Sequence, residues 1–166
     1  MKAPIRFLAP CALGLACILA PLPVPAQTVL LVVRESANSR PLPPPLAVRE
    51  GVSGSLFDAG IIVLDAPGAA PMPGTLELAR LARAAGAQIV LQCSTEYTDT
   101  TLGADLVRIS ARTTYALIDS SNGAVIDQGT QEATNRDREH DVGRAALGGE
   151  IGKAVVLQVK KVLDRL

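Results

Sequence analysis

Apolar positions along this chain follow two rhythms, one of three to four residues and one of two, and the two adjoin between Leu76 and Tyr97. Leu78, Leu81, Ala82 and Ala85 recur at spacings that place them on one face of a helix, with Arg80 and Arg83 off it. Thr75 is positioned to cap the first turn, and Gly86 suits the left-handed conformation just past a helix end. The next stretch has period two. Ile89, Leu91, Cys93, Thr95 and Tyr97 point one way; Val90, Gln92, Ser94, Glu96 and Thr98 point the other. Its first positions are apolar on both sides, as in a strand covered on both faces. Polarity enters at Gln92 and grows, so the strand is expected to run outward to a rim and end in a polar loop over Thr98 to Gly103.

The other elements follow by the same rules. Gln27 to Arg34 predicts a first strand, built on the apolar run Val29 to Val33. A polar loop over Ser36 to Arg40 leads into Pro41-Leu42-Pro43-Pro44-Pro45. That run is read as a stiff loop whose last proline opens a helix, the other reading being a polyproline ligand for a partner. The helix extends to about Ala59 with Val48, Val52, Leu56 and Ala59 on one face; Gly51 and Gly54 weaken it, so packing must hold it. Ile61 to Leu64 predicts a second buried strand. Asp105 to Asp119 alternates, with Val107, Ile109, Ala111, Thr113, Tyr115 and Leu117 on a core face and Arg108, Ser110, Arg112 and Thr114 on a wetter one. Ser120-Ser121-Asn122-Gly123 is a hairpin turn, and the return strand runs from Val125 to about Thr134.

The last element is a helix from Asp137 or Asp141 to Leu166, capped by Asn135 or Asp137. Its stripe is Ala145, Gly148, Gly149, Gly152, Val155, Val156, Val159, Val162, Leu163 and Leu166. Each glycine costs about 1 kcal/mol against alanine. Either the glycines let the helix press on the sheet or they break it at Gly148-Gly149. Buried valines and leucines contribute about 1.5–3 kcal/mol each, so truncation before Val155 is expected to unfold the domain.

Composition adds a compartment. Lys2 and Arg6 precede an apolar run from Phe7 to Leu19; Pro21, Pro23 and Pro25 follow, and Val24-Pro25-Ala26 offers a cleavage site before Gln27. Residues 1–26 are read as a signal peptide and 27–166 as a single α/β domain, periplasmic or secreted. The apolar run is too short to span a membrane. Lipidation at Cys17 is the competing export reading, but the leucine of Gly14-Leu15-Ala16 is one place out for it. Cleavage leaves 14 basic against 16 acidic residues, a net charge of −2, with no basic patch for nucleic acid. The remaining aromatics are Phe57, Tyr97 and Tyr115, too few for a base-stacking platform. Cys93 is then the one cysteine, read as a buried small hydrophobe.

Candidate chemistry is sparse. His140 lies between Glu139 and Asp141, sequence neighbours that cannot converge on one ion, so the segment is read as a solvated helix start. There is no HExxH, no nucleophile elbow and no phosphate-binding glycine motif. No catalytic residue, metal or cofactor is assigned. Asp65 opens the glycine-bearing loop to Gly74, more ordinarily as a turn-former bonding its own backbone than as a site residue. Glu96, Tyr97 and Asp99 mark the polar end of the central strand. Arg108 and Arg112 could bind an anionic group, although pairing with acids on the return strand is the commoner role.

The order is thus β-α-β-α-β-β-β-α. Leu78 to Leu91, LARLARAAGAQIVL, resembles the helix-Gly-Ala-strand step of the anticodon-binding-like group that includes the TolB N-terminal domain and the CsgG–LpoB-like envelope assembly proteins. Tyr115 to Ile126, YALIDSSNGAVI, resembles that group's hairpin step. The resemblance implies a three-layer α/β fold with a mixed five-stranded sheet, helices on both faces and a long C-terminal helix. It carries no catalytic residue across. The function expected first is a non-catalytic exported module that binds an envelope protein during assembly or trafficking. The alternative is a periplasmic small-ligand or glycan binding module using the Asp65–Gly74 and Thr95–Gly103 loops, with an enzyme less favoured.

Overall fold

A computed structural model describes residues 27–44, 46–66, 72–103, 106–137 and 139–165. The cleavage site at Ala26, Cys17 and the helix-opening Pro45 lie outside them, so those expectations stand as they were. The chain forms β1 (Thr28–Ala37), β2 (Arg40–Pro41), α1 (Ala47–Asp58), β3 (Ile62–Asp65), α2 (Thr75–Ala84), β4 (Ile89–Gly103), β5 (Leu106–Asp119), β6 (Val125–Asp137) and α3 (His140–Leu163).

The sheet is mixed. β4 sits at its centre, parallel to β1 on one side and antiparallel to β5 on the other; β6 pairs with β5 at the far edge. β1 pairs with β3 in parallel near its start and with the two-residue β2 at its end. The helices cover both faces unequally. Val48, Val52 and Leu56 of α1 and Leu147, Ile151, Val155 and Val159 of α3 pack on Leu31, Val33, Leu91 and Cys93. Leu78 and Ala82 of α2 pack on Leu30, Val32, Val90 and Ile118. This is the expected three-layer α/β arrangement, with β2 as a sixth, short strand.

Several boundaries differ from the sequence reading. The polar stretch Thr98–Gly103 is strand, because β5 pairs with β4 as far as Gly103 with Leu106 and satisfies its backbone. β1 reaches Ala37, and the expected loop after it is a tight turn with Asn38 and Ser39 at positive φ (50° and 63°). Thr75 is inside α2, whose N-cap is Gly74 with no side-chain bond. Leu81 and Ala85 face solvent while Ala79 is buried, because this short helix rests on a narrow strip of the sheet. Asn135 and Asp137 belong to β6 rather than capping α3, which begins from Glu139.

α3 is unbroken through Gly148-Gly149, and Ala145 lies outside its buried stripe. Gly148 and Gly152 press on α1 rather than on the sheet, whereas Gly143 meets Ile109 of β5. A Cβ at Gly148 would overlap the Ala47 carbonyl, one at Gly51 the Gly148 carbonyl, and one at Gly152 the Gly51 carbonyl. Gly51, Gly148 and Gly152 thus serve one close backbone crossing.

Candidate functional site

At the end of the sheet where β1 meets β2, a chain of buried polar groups joins both helix starts to the strands. It begins at Glu35, which continues the inward alternation Val29, Leu31, Val33 and is 2% exposed. Helix α1 has no side-chain cap of its own. Glu35 replaces one from another element. Its Oε1 accepts from the backbone N–H groups of Val48 at 2.8 Å and Arg49 at 3.0 Å. Its Oε2 accepts from the Tyr97 hydroxyl at 2.9 Å. Burial pushes the Glu35 pKa above its ordinary value, while the N–H and hydroxyl bonds pull it back. Tyr97 is pushed up as well, first by burial and then by the nearby Glu35.

The chain continues through Arg144 on the first turns of α3. Its guanidinium lies 5.4 Å from the centroid of the Tyr97 ring, within cation–π range. Its Nη2 donates to Asp99 Oδ2 at 2.6 Å. His140 Nε2 is 3.8 Å from the same oxygen, on a half-exposed ring. Asp99 Oδ1 and Arg144 Nε are buried without a hydrogen-bond partner among the described residues. Beside this chain is a cavity of about 320 Å³, walled by Leu42, Pro43, Pro44, Ala47 and Ala145 and bearing Glu35, Glu50, Asp141 and Arg144.

Cys93 lies on the same face, fully buried, and its thiol is pushed up to about 12, first by burial and then by the charge of Glu35. It therefore stays protonated at neutral pH and behaves as the small hydrophobe expected. Among the described residues no three His, Cys, Asp or Glu side chains converge to hold a metal. No helix among them is long and apolar enough to cross a membrane.

The six residues singled out from sequence are divided among three places. Tyr97 and Asp99 belong to the buried chain. Asp65 lies at the end of β3 and accepts from Arg49 Nε at 3.1 Å and Nη2 at 2.8 Å; residues 67–71 of the turn that it was expected to close lie outside the described residues. Glu96 points to the opposite face of the sheet, where it holds the β1–β2 turn by accepting from Ser36 Oγ and from the Ser39 N–H at 2.7 Å. Those bonds lower its pKa. Arg112 stands between Glu96 and Glu132 in the cross-strand register and pairs with Glu132 at 3.4 Å, as expected of a solvated face. Arg108 departs from that expectation: its cross-strand neighbours are Thr100 and Arg136, and neither is an acid.

Two site residues were missed. Glu35 fell one place beyond the predicted end of β1, although the period-two alternation already aimed it inward. Arg144 lies three residues before Leu147 and four before Gly148, on the buried stripe itself.

No protein-family model matches the sequence, and no curated protein matches it. Solved structures do. The chain is similar to the PelC dodecamer from Paraburkholderia phytofirmans, with 22% identity and a TM-score of 0.58, over 78% of this chain and 84% of that one. It is similar to the hypothetical protein CT253 from Chlamydia trachomatis, with 15% identity and a TM-score of 0.55, over 81% and 95%. A minor lipoprotein from Acinetobacter baumannii matches with 10% identity and a TM-score of 0.51, over 82% and 92%. At these identities the likeness is one of fold. All three are bacterial proteins, and none of the three names denotes an enzyme.

Proposed function

We propose that this chain is a non-catalytic, exported protein-interaction module of the bacterial envelope, acting in assembly or trafficking. The observation that carries the reading is the commitment of the site's buried charges to one another. Glu35 is spent on the start of α1 and on Tyr97, and Asp99 on Arg144. Such a chain ties the starts of α1 and α3 to the sheet and leaves no base poised beside a nucleophile among the described residues. What faces outward is an apolar wall edged by Glu50 and Asp141, suited to a partner segment with a basic side chain. The lipoprotein among the fold neighbours supports an envelope setting, and the signal-peptide pattern read in residues 1–26 supports export.

Cross-linking in intact cells tests this. The whole chain is expected to give a reproducible protein adduct that is lost when Glu50 and Asp141 are both changed to lysine. The PelC neighbour is a dodecamer, so self-adducts are scored with the rest. Isolation without any adduct, together with thermal stabilisation by a small ligand or glycan, would replace this reading with that of a ligand-binding module.

A further inference from the structure

The sheet face opposite α1 and α3 carries a pair that the fold does not explain. Arg108 and Arg136 are direct cross-strand neighbours on β5 and β6, so both guanidiniums leave the same face side by side. Like charges set directly opposite destabilise a sheet. The other charged cross-strand pairs, Glu96 with Arg112 and Arg112 with Glu132, join opposite signs. No acid among the described residues forms an ion pair with either Arg108 or Arg136. Nor does α2 cover them: the β5 residue packed against it is Ile118, ten positions further along the strand. Arg136 is exposed and Arg108 half-buried, so both forks are open to a ligand.

The surroundings supply neutral donors. Thr100 lies on the other side of Arg108 in the same row, and Ser110 faces Thr134 in the next, their hydroxyl oxygens 3.3 Å apart. Two planar guanidiniums can each present paired N–H donors to one tetrahedral oxyanion, an arrangement that a lone lysine or a single arginine does not match. We infer that Arg108 and Arg136 together bind a phosphate group, with the Thr100, Ser110 and Thr134 hydroxyls beside it. The phosphate is either a free anion or the headgroup of an anionic phospholipid. Charge repulsion between the two arginines is then relieved when the anion is bound.

Two probes separate the sources. Inorganic phosphate is titrated into the whole chain at low salt and followed by NMR. Flotation is measured with phosphatidylcholine vesicles with and without phosphatidylglycerol. Saturable shifts at β5 and β6 support the site and indicate a free anion; flotation confined to the phosphatidylglycerol vesicles supports it and indicates a headgroup. In either case each single variant, R108Q or R136Q, is expected to weaken binding about tenfold, and added salt to weaken it further. R108K/R136K keeps the charge but loses the forks and is expected to bind more weakly than the unaltered chain. R112Q, whose guanidinium is already paired with Glu132, is expected to bind as the unaltered chain does. The inference fails if neither probe is bound, or if a folded R108Q/R136Q protein binds as well as the unaltered chain.

Discussion

Glu35 caps a helix that is distant from it in sequence, and its removal is felt at both ends of the contact. Glu35→Ala leaves the Val48 and Arg49 N–H groups and the Tyr97 hydroxyl without their acceptor. Buried groups orphaned in this way cost about 1–3 kcal/mol each, so a loss of about 3 kcal/mol or more is expected in urea unfolding. Glu35→Gln keeps the shape and isolates the charge. The folded-state pKa of Glu35 is raised above its ordinary value of 4.5. Between the two values the folded chain binds more protons than the unfolded one. The stability this group contributes is therefore complete below about pH 4.5 and is lost as pH rises through the folded value. Glu96 and Asp119 have lowered pKa values and act in the other direction, losing their contribution as pH falls. Both are present in either protein, so they cancel from the comparison. The stability of Glu35→Gln relative to the unaltered protein is expected to rise with pH above 4.5, and a difference independent of pH would contradict the assignment.

Helices α1 and α3 meet through glycine, and this makes neighbouring glycines differ in what they tolerate. A methyl group at Gly148 would run into the backbone of Ala47, whereas one at Gly149 meets nothing within 4 Å. Gly148→Ala is expected to destabilise by about 1–3 kcal/mol or more, since a backbone cannot move aside as a side chain can. Gly149→Ala is expected to stabilise by about 0.5–1 kcal/mol through helix propensity. Thermal melts of the two variants decide the matter, and equal shifts would mean the crossing is looser than described. The sequence left two readings of the α3 glycines, a close approach to the sheet or a break at Gly148-Gly149, and Gly148 and Gly152 meet α1 instead, since nothing local distinguishes a sheet from a second helix as the surface met. The same limit separates the elements that were legible from those that were not. Strand β4 and its two faces followed from local alternation. Its last residues did not, because Thr98 to Gly103 is polar and owes its extended form to β5 beside it. Tyr97 and Asp99 were found because they continue a strand pattern, while Glu35 and Arg144 were missed because their partners, the start of α1 for Glu35 and the end of β4 for Arg144, are brought to them from elsewhere in the chain.

The whole molecule is closed by its last helix. α3 contributes Leu147, Ile151, Val155, Val156, Val159, Val162 and Leu163 to a core whose other walls are α1 and the inner face of the sheet. Five of these seven lie at or beyond Val155. At about 1.5–3 kcal/mol for each fully buried side chain their loss removes about 8–15 kcal/mol, comparable with the entire stability of an ordinary domain. It would also uncover Leu31, Leu91 and Leu117 on the central strands, each now fully buried. Deletion from Val155 onward is therefore expected to abolish the cooperative thermal transition and to leave a collapsed or aggregating chain with poor NMR dispersion. Leu157 supplies the control within the same segment, being 56% exposed. Leu157→Gln should leave the transition within about 0.5 kcal/mol of its original stability, as surface substitutions commonly do. A deleted chain that stayed monomeric and still melted cooperatively would mean that α1 and the sheet suffice as a core. The contacts argue otherwise, because α1 alone cannot reach Ile109 and Leu117 on β5, the strand on the far side of β4 from β1, and α3 is the element that joins them to it.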